Sequence, residues 1–252
     1  MSIDVTRSDG VVQITLNSPD RRNALTPDDF AELGRQFDAI AASTEDRSVL
    51  ITGAGGAFCA GAYLAETVPD EPAIVLLSRI NETFSRLHRL PQPVVAAVDG
   101  PAYGAGMSLA LVADIVLASP TATFCQVFVK RGLIPDTGSS WLLPRIVGLH
   151  TAKRLALLGD AIDAGQAQEL GIVAEVADDV VTRAGEVAAR LATGAPLAQR
   201  LTKQLLNAAF GRGFDEQLDA EATSAATVTG SSDVAEAFVA FAQKRDPVFT
   251  GR

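Results

Sequence analysis

Residues 93–114 constrain the fold more than any other part of this chain. Pro93-Val94-Val95-Ala96-Ala97-Val98 is a short valine-rich apolar run, which predicts a strand buried on both faces. Asp99-Gly100-Pro101-Ala102-Tyr103-Gly104-Ala105-Gly106 follows with its cluster of glycines, and then an apolar segment long enough for a buried helix. Glycine at a strand-to-helix junction lets the backbone come close to a ligand. The first N–H groups of the helix have no partner inside it. A junction of this kind can hold a phosphate or a developing oxyanion.

The flanking sequence supplies the rest of an α/β pattern. Val11-Val12-Gln13-Ile14-Thr15-Leu16 reads as a strand ended by the turn residues Asn17-Ser18-Pro19-Asp20. Thr26 has the character of a helix N-cap, with Pro27 at the first helical position and Asp28 and Asp29 in the first turn. Phe30, Leu33, Phe37 and Ile40 fall on one face of that helix. Val49-Leu50-Ile51-Thr52 predicts a second buried strand, followed by a small-residue segment over 53–64 and a polar loop over 66–72. Helical spacing returns over 74–87. Strands are expected at 114–118, 123–126 and 172–176, with a loop over 132–138 and helices over 141–147, 153–158 and 164–170. From Asp178 onward the pattern is helical, punctuated by Pro196, Gly211, Gly213 and Gly230. Strands and helices thus alternate over the first two thirds and helices finish the chain. Apolar faces at Leu201, Leu205 and Phe210, and at Phe238 and Phe241, must pack on the core or on a neighbouring subunit.

Composition removes several function classes. A net charge of −9 argues against a broad nucleic-acid-binding face. No apolar run has the length of a membrane span, and the first residues lack the basic and apolar regions of a signal peptide, so a cytoplasmic protein is expected. The two cysteines, Cys59 and Cys125, form neither a disulfide framework nor a metal-ligand spacing. His88 and His150 are the only histidines and stand outside any ligand cluster, so no metal is expected.

Individual motifs carry competing readings. Gly53-Ala54-Gly55-Gly56 begins like a dinucleotide loop, but the third glycine of that fingerprint would fall at Phe58. Close backbone packing explains these glycines better. Gly106-Met107-Ser108-Leu109-Ala110 approximates a nucleophile elbow, with Asp136 and His150 as remote triad partners. A plain helical serine is the stronger reading. Cys59 has no adjacent base and reads as a small buried thiol. Arg21-Arg22 and Lys244-Arg245 are short basic pairs, ordinary on a solvated surface and usable for phosphate. Asp136, in Pro135-Asp136-Thr137-Gly138, fits a turn and helix start. It also stands among Leu133, Ile134, Trp141 and Leu142, where burial would raise its pKa and suit it to proton transfer.

Taken together, these segments resemble the enoyl-CoA hydratase/isomerase family, the crotonase superfamily. The matching pieces are Asn17-x-Pro19-x-x-x-Asn23-Ala24-Leu25, Val49-Leu50-Ile51-Thr52-Gly53 with Phe58-Cys59-Ala60-Gly61-Ala62, and Asp99-Gly100-x-Ala102-x-Gly104-Ala105-Gly106. Further on come Gly132-Leu133-x-Pro135-Asp136-x-Gly138 and Leu143-Pro144-Arg145-x-Val147-Gly148. Each is modest alone, and their order and spacing make the joint match specific.

The resemblance implies an α/β fold, a crotonase-like spiral of ββα units over 1–194 with a helical C-terminal oligomerisation region over 195–252. It implies an acyl-CoA thioester substrate, no separate cofactor, and a homotrimer or homohexamer. Arg22, Ala24, Ala60 and Leu64 would line the CoA path, and Phe241 and Lys244 would reach a neighbouring subunit's CoA. The backbone N–H groups of Ala62 and Ala105 would form the oxyanion hole. The two glutamates with which hydratases activate water would fall at Ser108 and Phe128, and neither is a carboxylate. Asp136 matches the acid/base position of the isomerase branches. The expected function is therefore a double-bond isomerase. A hydratase with an atypical water site and a catalytically silent acyl-CoA-binding protein remain as alternatives.

Overall fold

A computed structural model describes residues 2–63 and 72–252. The chain opens on an antiparallel hairpin, β1 (Ile3–Ser8) and β2 (Val11–Leu16), turned at Asp9 and Gly10. β1 had no clear signal in the sequence, because most of its residues face solvent, as at an edge strand. β2 then pairs in parallel with β3 (Ser48–Gly53), β3 with β4 (Val94–Val98), β4 with β6 (Ile115–Ala118) and β6 with β9 (Glu175–Val176). The result is a six-stranded sheet, ordered β1-β2-β3-β4-β6-β9. Every residue of β4 is buried, as the valine-rich run predicts.

A second, smaller sheet holds β5 (Pro101–Tyr103), β7 (Thr123–Cys125) and β8 (Ile162–Asp163). The chain winds between the two sheets as a spiral. Each pass lays one strand in the large sheet, one extended segment beside the small sheet, and then usually a helix. In the early passes the extended segment shrinks to single bridges, Leu25 with Ala62 and Cys59 with Ala102.

Helix α1 (Pro27–Ala42) starts at Thr26 through a reciprocal capping box with Asp29. It buries Phe30, Leu33, Phe37 and Ile40 and packs on α2 (Ala73–His88), with the Phe30 and Phe84 rings 6.0 Å apart. α3 (Ala105–Val112) is buried at all its positions. α4 (Ser139–Val147) packs on α3 and on α5 (Leu149–Leu158). α6 (Ala164–Glu169) leads toward β9. The strand expected over 172–176 is reduced to its last two residues. The Ile172 and Val173 N–H groups turn back to the Ala167 carbonyl oxygen instead of entering the sheet.

The far face of the large sheet is covered by α7 (Val180–Ala192), where Val180, Ala184 and Ala188 meet Leu50, Val95, Ala97 and Leu117. Three further helices finish the chain: α8 (Pro196–Ala208), α9 (Phe214–Thr229) and α10 (Ser232–Gln243). Lys203 fastens α8 to the core, with its Nζ 2.7 Å from Asp114 Oδ2 and 3.1 Å from the Gln92 carbonyl oxygen. Phe210, Phe214, Phe238 and Phe241 of the tail are exposed in the single chain. No helix among the described residues is long and apolar enough to cross a membrane.

Candidate active site

Three loops converge at the end of the small sheet. Arg22 and Asn23 both adopt positive φ, which reverses the chain after the short helical turn Pro19–Arg21. The Asn23 side chain is buried and fully used. Its Nδ2 donates to the carbonyl oxygens of Ala54 (2.9 Å) and Ala57 (2.6 Å), and its Oδ1 accepts from the Ser18 N–H (2.8 Å). This ties the 18–25 loop to the glycine-rich 53–57 turn. A ladder then forms along the next residues. The Ala60 N–H donates to the Arg22 carbonyl (2.9 Å), the Leu25 N–H to Gly61 (2.8 Å) and the Tyr63 N–H to Leu25 (2.9 Å). Arg22, Ala24, Ala60 and Ala62 are thereby brought together on adjacent segments.

The third loop is the strand-to-helix junction. The Cys59 N–H donates to the Pro101 carbonyl (3.0 Å) and the Tyr103 N–H to the Cys59 carbonyl (2.9 Å). The start of α3 is pressed onto this bridge. A Cβ on Gly106 would lie 2.1 Å from the Cys59 carbonyl oxygen, so only glycine fits. Gly61, at φ 103°, makes a looser but still close approach on the other side. A Cβ there would be 2.8 Å from the Tyr103 carbonyl oxygen and 3.5 Å from the Ala105 nitrogen. Ala62 and Ala105 are therefore held on facing segments. Neither N–H donates to a backbone carbonyl among the described residues. Ala105 is the first residue of α3, so its N–H also carries the positive end of the helix dipole.

Asp136 stands at the turn that opens α4, and α4 rests on α3. The Asp136 carbonyl accepts from the Ser139 N–H (3.1 Å) and hydroxyl (3.0 Å). Its carboxylate accepts from the Thr137 hydroxyl (3.3 Å). Partial burial raises its pKa above the ordinary aspartate range, with the Thr137 hydrogen bond opposing the shift. The surroundings differ from expectation. Leu133, Ile134 and Trp141 are substantially exposed, Ile134 by 80 %, so they do not close over the carboxylate within one chain. Thr137 is buried at φ 53°, an uncommon conformation for a β-branched residue, in the turn that carries Asp136.

The family model for enoyl-CoA hydratase/isomerase matches residues 6–252. The chain is also 40% identical over 251 residues to 1,2-epoxyphenylacetyl-CoA isomerase of Escherichia coli (strain K12), covering 96% of each. The chain belongs to the enoyl-CoA hydratase/isomerase family. It is 34% identical over 250 residues to 2,3-dehydroadipyl-CoA hydratase of the same strain, covering 98% of each. In structure it superposes on the enoyl-CoA hydratase of Bacillus anthracis with a TM-score of 0.96, at 32% identity and full coverage of both chains.

Ser108 and Phe128, where the sequence resemblance sets the hydratase glutamates, carry no carboxylate. Ser108 is buried in α3 and its hydroxyl turns back to the Gly104 carbonyl (3.3 Å). Phe128 is buried in a turn of 3₁₀ helix over Val127–Arg131, its ring 3.8 Å from where a Cβ on Gly104 would lie. Ser108 has no hydrogen bond to a histidine or carboxylate among the described residues, so no hydrolase triad forms around it. Cys59 is a buried thiol whose pKa is pushed up to about 12 by burial, which removes it as a nucleophile.

The remaining candidates are distributed unevenly. Phe241 is 85 % exposed and Lys244 is exposed just past α10. Neither is hydrogen-bonded through its backbone to residues 22–24 or 60–62 among the described residues. Leu64 lies outside the described residues, as does most of the 66–72 loop. Sequence reasoning missed the structural part of Asn23, although it stood inside a quoted motif. The left-handed conformation of Thr137 was also missed, although it stood in the quoted turn Pro135-Asp136-Thr137-Gly138, because a β-branched residue does not signal positive φ.

Proposed function

We propose that this protein is an acyl-CoA double-bond isomerase. The thioester carbonyl oxygen receives the N–H groups of Ala62 and Ala105. Asp136 takes a proton from the carbon beside the thioester, the electron pair moves onto the carbonyl oxygen as an enolate, and the two donors stabilise that charge. Collapse of the enolate returns the same proton from Asp136 to a carbon farther along the chain, shifting the double bond. A single carboxylate suffices, because nothing is added to or lost from the substrate. Partial burial makes Asp136 a stronger base than an exposed aspartate.

The observation that carries this reading is the placement of carboxylates. Ser108 and Phe128 stand where water activation needs glutamates, and Asp136 remains at the acid/base position. The 40% identity to a relative named as an isomerase supports it. In the same reading Arg22, Ala24, Ala60 and Leu64 line the CoA path, while Phe241 and Lys244 serve the site of a neighbouring subunit in a homotrimer or homohexamer. Residues 195–252 form the oligomerisation region, and the enzyme works in the cytoplasm without a separate cofactor.

The test is conversion of a 3-enoyl-CoA by the wild type and by Asp136→Asn. The variant is expected to lose about 10²- to 10⁴-fold in kcat, and full retained activity overturns the assignment. A second reading, hydration, is favoured by the relative named as a hydratase. Faster hydration of crotonyl-CoA than isomerisation of the 3-enoyl thioester would select it.

A further inference from the structure

The Ala62 N–H shares one planar trans peptide unit with the Gly61 carbonyl, so the two point in opposite directions. The Leu25 N–H donates to that carbonyl (2.8 Å), and the Tyr63 N–H donates to the Leu25 carbonyl (2.9 Å). Leu25 thereby straddles Ala62. The Gly61 carbonyl is turned toward the 18–25 loop, and the Ala62 N–H is turned away from it. Gly61 restrains this unit little by itself, because glycine at φ 103° has wide conformational freedom. The aim of the donor therefore depends on how firmly the next residue is held, and Tyr63 is the last rung of this ladder among the described residues.

At Tyr63 a side-chain contact takes over from the backbone. The Arg21 guanidinium carbon lies 5.3 Å from the centroid of the Tyr63 ring, within the range of a cation–π contact. The cation is itself anchored. Its Nη2 stands 2.6 Å from Asp29 Oδ2, and the Asp29 side chain is only 8 % exposed. Asp29 also accepts from the Thr26 N–H (2.9 Å) inside the capping box that starts α1. Arg21 Nε is buried and unpaired, which leaves the ion pair and the ring face as the contacts that place the guanidinium among the described residues. Arg21 thus connects a capped helix start to the residue that follows Ala62.

We propose that Arg21 and Tyr63 are positioning residues whose stacked side chains hold the Ala62 N–H toward the thioester carbonyl. They touch no reacting atom. This rests on the reading of Ala62 as an oxyanion donor. A donor acts only while it is aimed at the developing charge, and removing one costs about 10²- to 10³-fold in kcat. A partly desolvated cation–π contact shifts an equilibrium by about 3- to 30-fold, so the effect of losing it falls under that ceiling.

The test is the infrared difference spectrum of carbonyl-labelled hexanoyl-CoA bound to the wild type, Tyr63→Leu and Tyr63→Phe, with steady-state isomerisation of a 3-enoyl-CoA alongside. Hexanoyl-CoA has no double bond to move, so the spectrum does not depend on isomerase activity. In the wild type the thioester carbonyl band is expected to move to lower frequency on binding. In Tyr63→Leu the band should return toward that of the free thioester, and kcat should fall about 3- to 30-fold with KM little changed. Tyr63→Phe keeps the ring face and should restore both. Arg21→Gln should repeat the Tyr63→Leu result, and combining the two should add little. Because Arg21→Gln strands the buried Asp29 carboxylate, Tyr63→Leu, which leaves the ion pair intact, decides the matter if that variant fails to fold. A wild-type band in a folded Tyr63→Leu protein overturns this proposal alone, whatever its kcat. So does a failure of Tyr63→Phe to restore the band, which would assign the effect to the hydroxyl. An unshifted band in the wild type with hexanoyl-CoA bound overturns the oxyanion reading of Ala62 and this proposal with it.

Discussion

Gly106 and Cys59 approach so closely that a Cβ on the glycine would stand 2.1 Å from the cysteine's carbonyl oxygen. That contact sets the distance between the loop bearing Ala62 and the helix start bearing Ala105. Gly106→Ala must push the two apart. A displacement near 1 Å at a reacting centre costs about 10²-fold in rate, and overpacking costs about 1–3 kcal/mol of stability. Isomerisation rates and thermal melts of the variant are expected to show both losses, with the rate affected more. Wild-type kcat in a stable Gly106→Ala protein would refute the geometric account.

In its proposed role Asp136 would link activity to stability with opposite signs. Its pKa is raised on folding, so the folded chain holds this proton in a pH range where the unfolded chain has released it. The folded state is therefore favoured below the ordinary aspartate pKa, and that advantage is lost as pH rises through the folded value. Asp136→Asn removes the charge at every pH, and its amide oxygen can still accept from Thr137. The variant should melt at or above the wild-type temperature at neutral pH, while the gap closes in acid. The wild-type kcat/KM should fall as pH drops through a pKa above the usual aspartate range. Parallel melting curves at all pH values would show that burial of this carboxylate carries no energetic cost.

Asn23 makes three hydrogen bonds from a buried position at φ 57°. Asn23→Ala leaves the Ala57 carbonyl without its side-chain donor and places alanine in a left-handed conformation that asparagine tolerates better. Denaturant unfolding should report a loss of about 2–4 kcal/mol. A change below about 0.5 kcal/mol would mean that the 18–25 and 53–57 loops hold together without this staple.

Cys59 and Ser108 both sit at the site and neither is available for covalent chemistry. The thiol is buried with its pKa near 12, and the hydroxyl is committed to Gly104 inside α3. Native protein treated with iodoacetamide at pH 8 should carry no label on Cys59, and a fluorophosphonate probe should leave Ser108 unmodified. Mass spectrometry of the digested protein reads both, and fast labelling of either residue contradicts the burial described.

The parts of this molecule that were legible in its sequence share one property: a local pattern tied to a burial or capping demand. Val94 to Val98 is apolar because both faces of β4 are covered, and Thr26 reads as a cap because its side chain makes the cap. β1 was illegible because its side chains answer to solvent, and residues 172–174 were misread because apolar residues can fill a helix exit as well as a strand. At the site, Ala62 and Ala105 could be placed only through the family resemblance, since a backbone donor leaves no side-chain signature.

Both proposed oxyanion donors are peptide N–H groups on a ladder shared by three loops, and this determines which atoms a codon change can reach. A point mutation at 62 or 105 alters a methyl group and leaves the N–H in place, unless it introduces proline. In the proposed reading the proton is moved by a side chain, Asp136, and the positions at which hydratases would carry glutamates, 108 and 128, are side chains too, each open to replacement one at a time. A lineage built this way can exchange one proton-transfer scheme for another without passing through a protein unable to polarise a thioester. Diversity of reaction on this fold then follows from keeping the electrostatic half of the chemistry in the main chain and the variable half in the genetic code.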